Sequence, residues 1–164
     1  MSHAIGPTLR RRWRQLTAVP GGHWLFSRLL GRMAPYTGSI GARIEALEPG
    51  YCRVRLNDRR AVRNHLRSIH AIALCNLGEV ATGLALMNSL PDNTRGILLS
   101  ICADYHHKAR GTLHAECHCN IPSDNREQTY KVIATVKNIS GETVTTVTAT
   151  WLLGPEQPQG AHAN

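Results

Sequence analysis

Residues 64–79, NHLRSIHAIALCNLGE, hold an asparagine, a histidine six residues on and a glutamate nine residues further. Burying a lone carboxylate in an apolar run is expensive, so Glu79 needs partners or a task. Its pKa is expected to rise there unless donors keep it ionised. Two uses fit: a base or nucleophile acting on a substrate, or a carboxylate tied to an arginine or a helix terminus across an interface between two copies. On one straight helix His70 and Glu79 would face opposite sides, so His70 belongs in the loop just before the helix. There the free N–H groups near Ala71–Ala73 point outward and can polarise a carbonyl or hold an oxyanion. Asn64 reaches the same space. At about 100° per residue, Asn76, Glu79 and Thr82 or Gly83 share one helix face. Gly78 and Gly83 weaken the helix, which suits close approach of a neighbouring backbone or a ligand.

The elements that must position these groups follow from hydrophobic period and breakers. Residues 71–89 are apolar nearly all round, which predicts a buried helix closed by Pro91-Asp92-Asn93. From Gly38 the period is two, with a turn at Glu48-Pro49-Gly50, predicting a hairpin or one bulged strand. DRRAVRNHLRS reads as a polar loop. After the helix come strands in GILLSICADYHH and GTLHAECHCN, joined by Lys108-Ala109-Arg110-Gly111. YKVIATVKN and TVTTVTATWLL follow, joined by ISGE and rich in Val and Thr. The order predicts an α+β domain in which a long antiparallel sheet curls around one apolar helix. One face of that helix then needs cover, which predicts a dimer.

The N-terminal part differs. Residues 1–9 read as a frayed tail and 10–18 as a short basic helix. Trp24, Leu25, Leu29 and Met33 mark a second helix ended by Pro35, expected to cover the sheet. LRRRWRQL resembles the start of an export signal but lacks its apolar stretch and cleavage site. From Gly154 the composition turns to Pro, Gln and Gly, expected to be disordered. We divide the chain into residues 1–37 as tail and helical extension, 38–155 as the domain, and 156–164 as a disordered tail.

The 164 residues suit one domain, and no apolar run is long enough to span a membrane. Lys and Arg number 19 against 11 acids, a net charge of +8, which favours anionic partners. No aromatic-rich platform accompanies the basic N-terminus, so nucleic acid is not expected as a partner. Five cysteines in no zinc or redox spacing read as reduced thiols of a cytoplasmic protein. His114, Glu116 and His118 fall on one strand face. A solvent-facing strand side explains them without a metal, and no metal site is assigned.

The segment from Asn64 to Glu79 resembles the active-site segment of hotdog-fold acyl-CoA thioesterases. PYTGSIGARIEALEPGYCRVRL, VRNHLRSIHAIALCNLGEVATGL and DYHHKARGTL are most similar to an uncharacterised thioesterase-like hotdog family known as a domain of unknown function. The likeness spans roughly residues 13–155. It implies a curved sheet around one long helix, preceded here by a helical extension, and hydrolysis of acyl-CoA thioesters at a dimer interface. Backbone N–H groups of Ala71 and Ile72 would hold the oxyanion. Glu79 of the partner copy would act as nucleophile or general base. Asn64 would orient water or substrate, and His70 would fix the loop. Asn76, Thr82, Gly83, Lys108 and Arg110 are the expected substrate contacts, the last two near the coenzyme A phosphates. Coenzyme A enters as part of the substrate, and no separate cofactor is expected. The expected partners are an acyl-CoA or acyl-carrier thioester and a second copy, as homodimer or dimer of dimers. Thioesterases of this superfamily carry glycines around the histidine where this chain has Arg67, Ala71 and Ile72. A non-catalytic acyl-CoA or acyl-carrier binding module is therefore the alternative reading.

Overall fold

The period-two segments pair as antiparallel neighbours in one six-stranded sheet, seen in a computed structural model that describes residues 5–120 and 122–156. The strands are β1 (Arg43–Glu48), β2 (Tyr51–Leu56), β3 (Thr94–Tyr105), β4 (Leu113–His118), β5 (Gln128–Asn138) and β6 (Thr143–Pro155), in the order β1-β2-β4-β5-β6-β3. Between the two alternatives for residues 38–56, the chain takes the hairpin, turning at Gly50 with a φ of 72°. ISGE closes the β5–β6 hairpin, with Gly141 at a φ of 85°. β3 does not pair with β4, the next strand in sequence. It crosses to the far edge beside β6, leaving one side of a 12-residue strand without a neighbour among the described strands.

Three helices precede the sheet: α1 (Gly6–Thr17), α2 (Gly22–Met33) and the short α3 (Pro35–Ser39). α1 begins four residues before the expected basic helix, within the segment read as frayed. Pro7 at its first turn is preorganised for that start. Arg10 fastens α1 to the end of the central helix, donating to the carbonyls of Asn88 (2.9 Å) and Leu90 (3.0 Å) and pairing with Asp92. Trp13 sets its edge against Phe26 of α2, with ring centroids 4.9 Å apart. At the other end, Gly154 and Pro155 were expected in a disordered tail but extend β6, paired with Arg95 and Thr94 of β3. Residues 157–164 of that tail lie outside the described residues.

The central helix α4 (Ala71–Met87) fills the concave side of the sheet and packs on β2, β3, β4, β5 and β6. Leu77, Ala81, Ala85 and Leu86 are fully buried. Gly78 lets α4 close on β6, since a Cβ there would lie 2.4 Å from Val147. The close approach expected of Gly78 is thus made by a side chain of the sheet rather than by backbone. Gly78→Ala is expected to destabilise the protein by about 1–3 kcal/mol through overpacking, read from chemical denaturation. An unchanged midpoint would contradict that packing.

The sheet covers α4 incompletely. Ile72 is exposed and Ala71, Cys75, Glu79 and Gly83 keep partial exposure, while the other twelve residues of the helix are buried. They form a seam along one side, because positions four apart drift less around a helix than positions three apart.

Candidate active site

The loop before α4 is built by Asn64. Its Oδ1 accepts from the N–H groups of Leu66 (2.9 Å) and Ser68 (3.2 Å), and its own N–H donates to the Ser68 carbonyl at 2.8 Å. Arg67 takes the left-handed conformation within this turn, with a φ of 56°. Glycine adopts that conformation without strain, so the arginine is held by the turn itself, its N–H on the Asn64 carbonyl at 3.1 Å. The loop docks on the β3–β4 crossover through the Ala109 carbonyl, which accepts from Ile69 N–H (2.8 Å) and Ser68 Oγ (2.9 Å). This contact brings Lys108 and Arg110, both exposed, beside the loop. Asp58 bonds Arg63 Nε (2.6 Å) and Gly111 N–H (2.9 Å), and the Arg63 bond holds its carboxyl below the usual range.

His70 caps α4. Its N–H donates to the Val62 carbonyl at 2.8 Å, and its Nδ1 accepts from Ile72 N–H at 3.1 Å. One of the two expected oxyanion donors is therefore occupied by the histidine of its own chain. Ala71 N–H, at the first position of the helix, has no acceptor among the described residues. The Ala71 carbonyl accepts from Tyr105 Oη of β3 at 3.0 Å, which aligns the helix start with the open sheet edge.

Glu79 lies on the seam, two turns beyond Ala71. No described residue gives its carboxylate a hydrogen bond or an ion pair, and burial pushes its pKa up. Cys75, one turn earlier, is raised by burial and then by the nearby Glu79. Asn76 faces the other way. Its Nδ2 donates to the Tyr36 carbonyl at 3.3 Å, its buried Oδ1 has no partner among the described residues, and it shares a hollow with His70 and Ile72. Thr82 is fully buried, its hydroxyl donating to the Glu79 carbonyl oxygen at 3.0 Å rather than reaching the carboxylate. Gly83 joins Glu79 in lining an apolar cavity beneath α1 and α2. Within one chain, then, Asn64, His70 and Ala71 gather at the helix start, Asn76 turns to the Tyr36 side, and Glu79 and Gly83 form a separate group.

Sequence reasoning missed Tyr105, Cys75 and the cavity walls. A spacing of four from Glu79 would have found Cys75. The cavity residues come from six elements, and no local pattern joins them. Glu116, expected on a polar strand face with His114 and His118, pairs with Arg53 (3.6 Å) and Lys137 (3.4 Å), while His114 Nε2 lies 3.5 Å from Glu45. All five cysteines are free thiols.

A curved antiparallel sheet around one long helix, in this strand order, is the hotdog fold of thioesterase-like proteins. The chain belongs to the family described as a domain of unknown function, DUF4442, which it matches over residues 22–153. Among solved structures, it is similar to a structural-genomics protein at 28% identity (TM-score 0.78, covering 90% of this chain and 99% of that one). It is also similar to a Pseudomonas aeruginosa protein of unknown function described as a probable thioesterase (22%, TM-score 0.72, 79% and 93%). A third likeness is to a thioesterase family protein from Silicibacter pomeroyi (20%, TM-score 0.67, 79% and 96%). No curated protein matches the sequence. No helix among the described residues is long and apolar enough to cross a membrane.

Proposed function

We propose that the protein hydrolyses acyl-coenzyme A thioesters at a site shared by two copies of the chain. The observation that carries this is a single open seam on an otherwise buried helix, where neither the Ala71 N–H nor the Glu79 carboxylate has a partner among the described residues. The N–H would receive the negative charge that develops on the thioester oxygen. Glu79 would take a proton from the attacking water, or attack the carbonyl itself. As base, Glu79 would return the proton to the departing thiolate as the tetrahedral intermediate collapses; as nucleophile, it would release the thiolate to be protonated by solvent and leave a mixed anhydride that water then opens, so either route ends in a carboxylic acid and a thiol. Asn64 Oδ1 is committed to its loop, so the role left to this side chain is donation from Nδ2. Lys108 and Arg110, both exposed, would meet the coenzyme A phosphates.

Helical geometry argues for two copies. Eight residues along α4 separate Ala71 from Glu79 by about 12 Å, whereas reacting groups must meet within roughly 3–3.5 Å. One chain cannot bring both to one thioester, but a two-fold pairing can bring Glu79 of one copy to Ala71 of the other. The open edge of β3, with Ile97 and Leu99 exposed, offers the surface for that pairing. Leu99→Lys is accordingly expected to give a monomer by light scattering and to lose turnover. A dimer of unchanged stability in that variant would contradict the β3 interface.

The direct test is an acyl-coenzyme A panel assayed with the purified protein. Turnover of at least one thioester is expected, and absence of hydrolysis at every chain length sinks the proposal. One observation favours the binding-module reading: His70 holds Ile72 N–H and leaves one backbone donor for the carbonyl. A binding module would show saturable coenzyme A thioester binding without product.

A further inference from the structure

The apolar space nearest Glu79 is a cavity of about 220 Å³. Gly83 and Met87 of α4 and Trp151 of β6 form its floor, and Leu9 of α1 with Phe26 and Leu30 of α2 form its roof. Arg12 and Glu79 are the only charged side chains lining it among the described residues. Glu79 also keeps partial exposure on the seam, so the cavity meets the open seam at the carboxylate. The missing side chain at Gly83 keeps this junction open, since a Cβ there would press on the Trp151 ring at 3.3 Å. Of that roof, α1 (Gly6–Thr17) lies outside the family segment of residues 22–153, whereas α2 lies within it. It is fastened over the cavity by Arg10 at the end of α4 and by Trp13 against Phe26.

We propose that this cavity holds the acyl chain of a medium-length thioester and that α1 closes it and sets the length. This extends the thioesterase reading, from which it takes the identity of the head group. Besides Glu79 and Arg12, only Thr8, Thr37 and Trp151 among the lining residues carry polar side-chain atoms, and the rest of the wall is apolar, which suits a methylene chain that needs no partner. With a methylene taken as about the size of a liquid water molecule, roughly 30 Å³, the cavity accepts about seven carbons beyond the carbonyl. The carbonyl would then sit where cavity and seam meet, beside Glu79. The interior would end against Met87, whose Cε closes the space next to Gly96.

The test uses thioethers, which cannot be hydrolysed, so binding is read apart from catalysis. Titration calorimetry of the full-length protein with S-ethyl-coenzyme A and S-octyl-coenzyme A compares chains differing by six methylenes. Each buried methylene is worth roughly fourfold in affinity, so the octyl compound is expected to bind about three to four orders of magnitude more tightly. Leu9→Trp fills the roof and is expected to reduce that advantage below about tenfold while S-ethyl-coenzyme A binding stays within about twofold. Leu9→Ala, a milder change, is expected to shift the preference toward S-dodecyl-coenzyme A, so the proposal is testable even if the tryptophan variant does not fold. Equal affinity for the ethyl and octyl compounds overturns the proposal, as does an unchanged chain-length preference in both Leu9 variants. Tight octyl binding sensitive to Leu9, with no turnover of octanoyl-coenzyme A, supports the cavity and removes hydrolysis. Turnover that ignores chain length in wild type and in both variants removes the cavity and leaves hydrolysis standing.

Discussion

Glu79→Gln is expected to lose thioester hydrolysis by about 10²–10⁴-fold while leaving the fold at least as stable at neutral pH. The two effects share one cause. The carboxylate is partly buried with no donor to hold its charge, and burial pushes its pKa above the ordinary glutamate value. The folded chain therefore binds this proton more tightly than the unfolded chain. Stability is highest below the unfolded value and falls as pH rises through the folded value, so the penalty is present wherever the pH exceeds the folded value. Glutamine carries no charge at any pH and removes the penalty. The thermal midpoint of Glu79→Gln should match or exceed that of wild type at pH 7.5, and the difference should close on acidification below the ordinary glutamate range. A partner's helix N-terminus facing Glu79 would offset part of this, so the comparison is cleanest in the Leu99→Lys background. The same raised value sets the acid limb of kcat/KM above the range of an exposed glutamate, since either role for Glu79 requires the ionised form. A clear loss of stability at neutral pH in the Leu99→Lys background would mean that Glu79 is a structural carboxylate after all.

That Glu79 is costly was legible from residue type alone, because one acid in the run ALCNLGEVATGLALM has few structural excuses. The helix itself was equally legible: a segment apolar all round has to be central, and α4 is. The β5–β6 hairpin followed from ISGE between two Val- and Thr-rich runs. The position of β3 did not follow. Its pairing with β6 joins residues such as Thr94 and Pro155, far apart in sequence, and nothing local distinguishes that choice from a hairpin with β4. The facing of the site was legible only in part. Grouping Asn76 with Glu79 treated a spacing of three as one face, but α4 is wrapped so closely that a 60° difference decides between the Tyr36 side and the seam. Capture of Ile72 N–H by His70 depends on a side-chain rotamer and hence on the finished helix start. The cavity was beyond reach for the same reason as β3: Leu9, Phe26, Met87 and Trp151 meet only once the chain has folded.

The free N–H at Ala71 can be removed with almost no other change, and this makes the shared site testable. Ala71 is the first residue of α4, where the absent N–H of proline costs the helix nothing and its fixed φ is favourable. A residue preceding proline must be extended, and His70 already is, with φ −65° and ψ 140°. The Ala71 carbonyl can keep its bond from Tyr105 Oη. Ala71→Pro is therefore expected to fold and dimerise like wild type while losing about 10²–10³-fold in kcat, the usual cost of one oxyanion donor. Glu79→Gln disables the other half of the site. In a mixed dimer, one of the two sites combines the intact Ala71 of the Glu79→Gln chain with the intact Glu79 of the Ala71→Pro chain, and the second site carries both lesions. Co-expression of two inactive variants should then restore activity to about a quarter of wild type, given random pairing of equal amounts in a two-fold dimer. A catalytic unit contained in one chain predicts no restoration, because every chain in the mixture is defective. Mixed dimers verified by differently tagged subunits yet still inactive would therefore overturn a site shared between Ala71 of one copy and Glu79 of the other. Recovery of activity would instead make the roughly 12 Å between them along one helix the reason the enzyme needs its second copy.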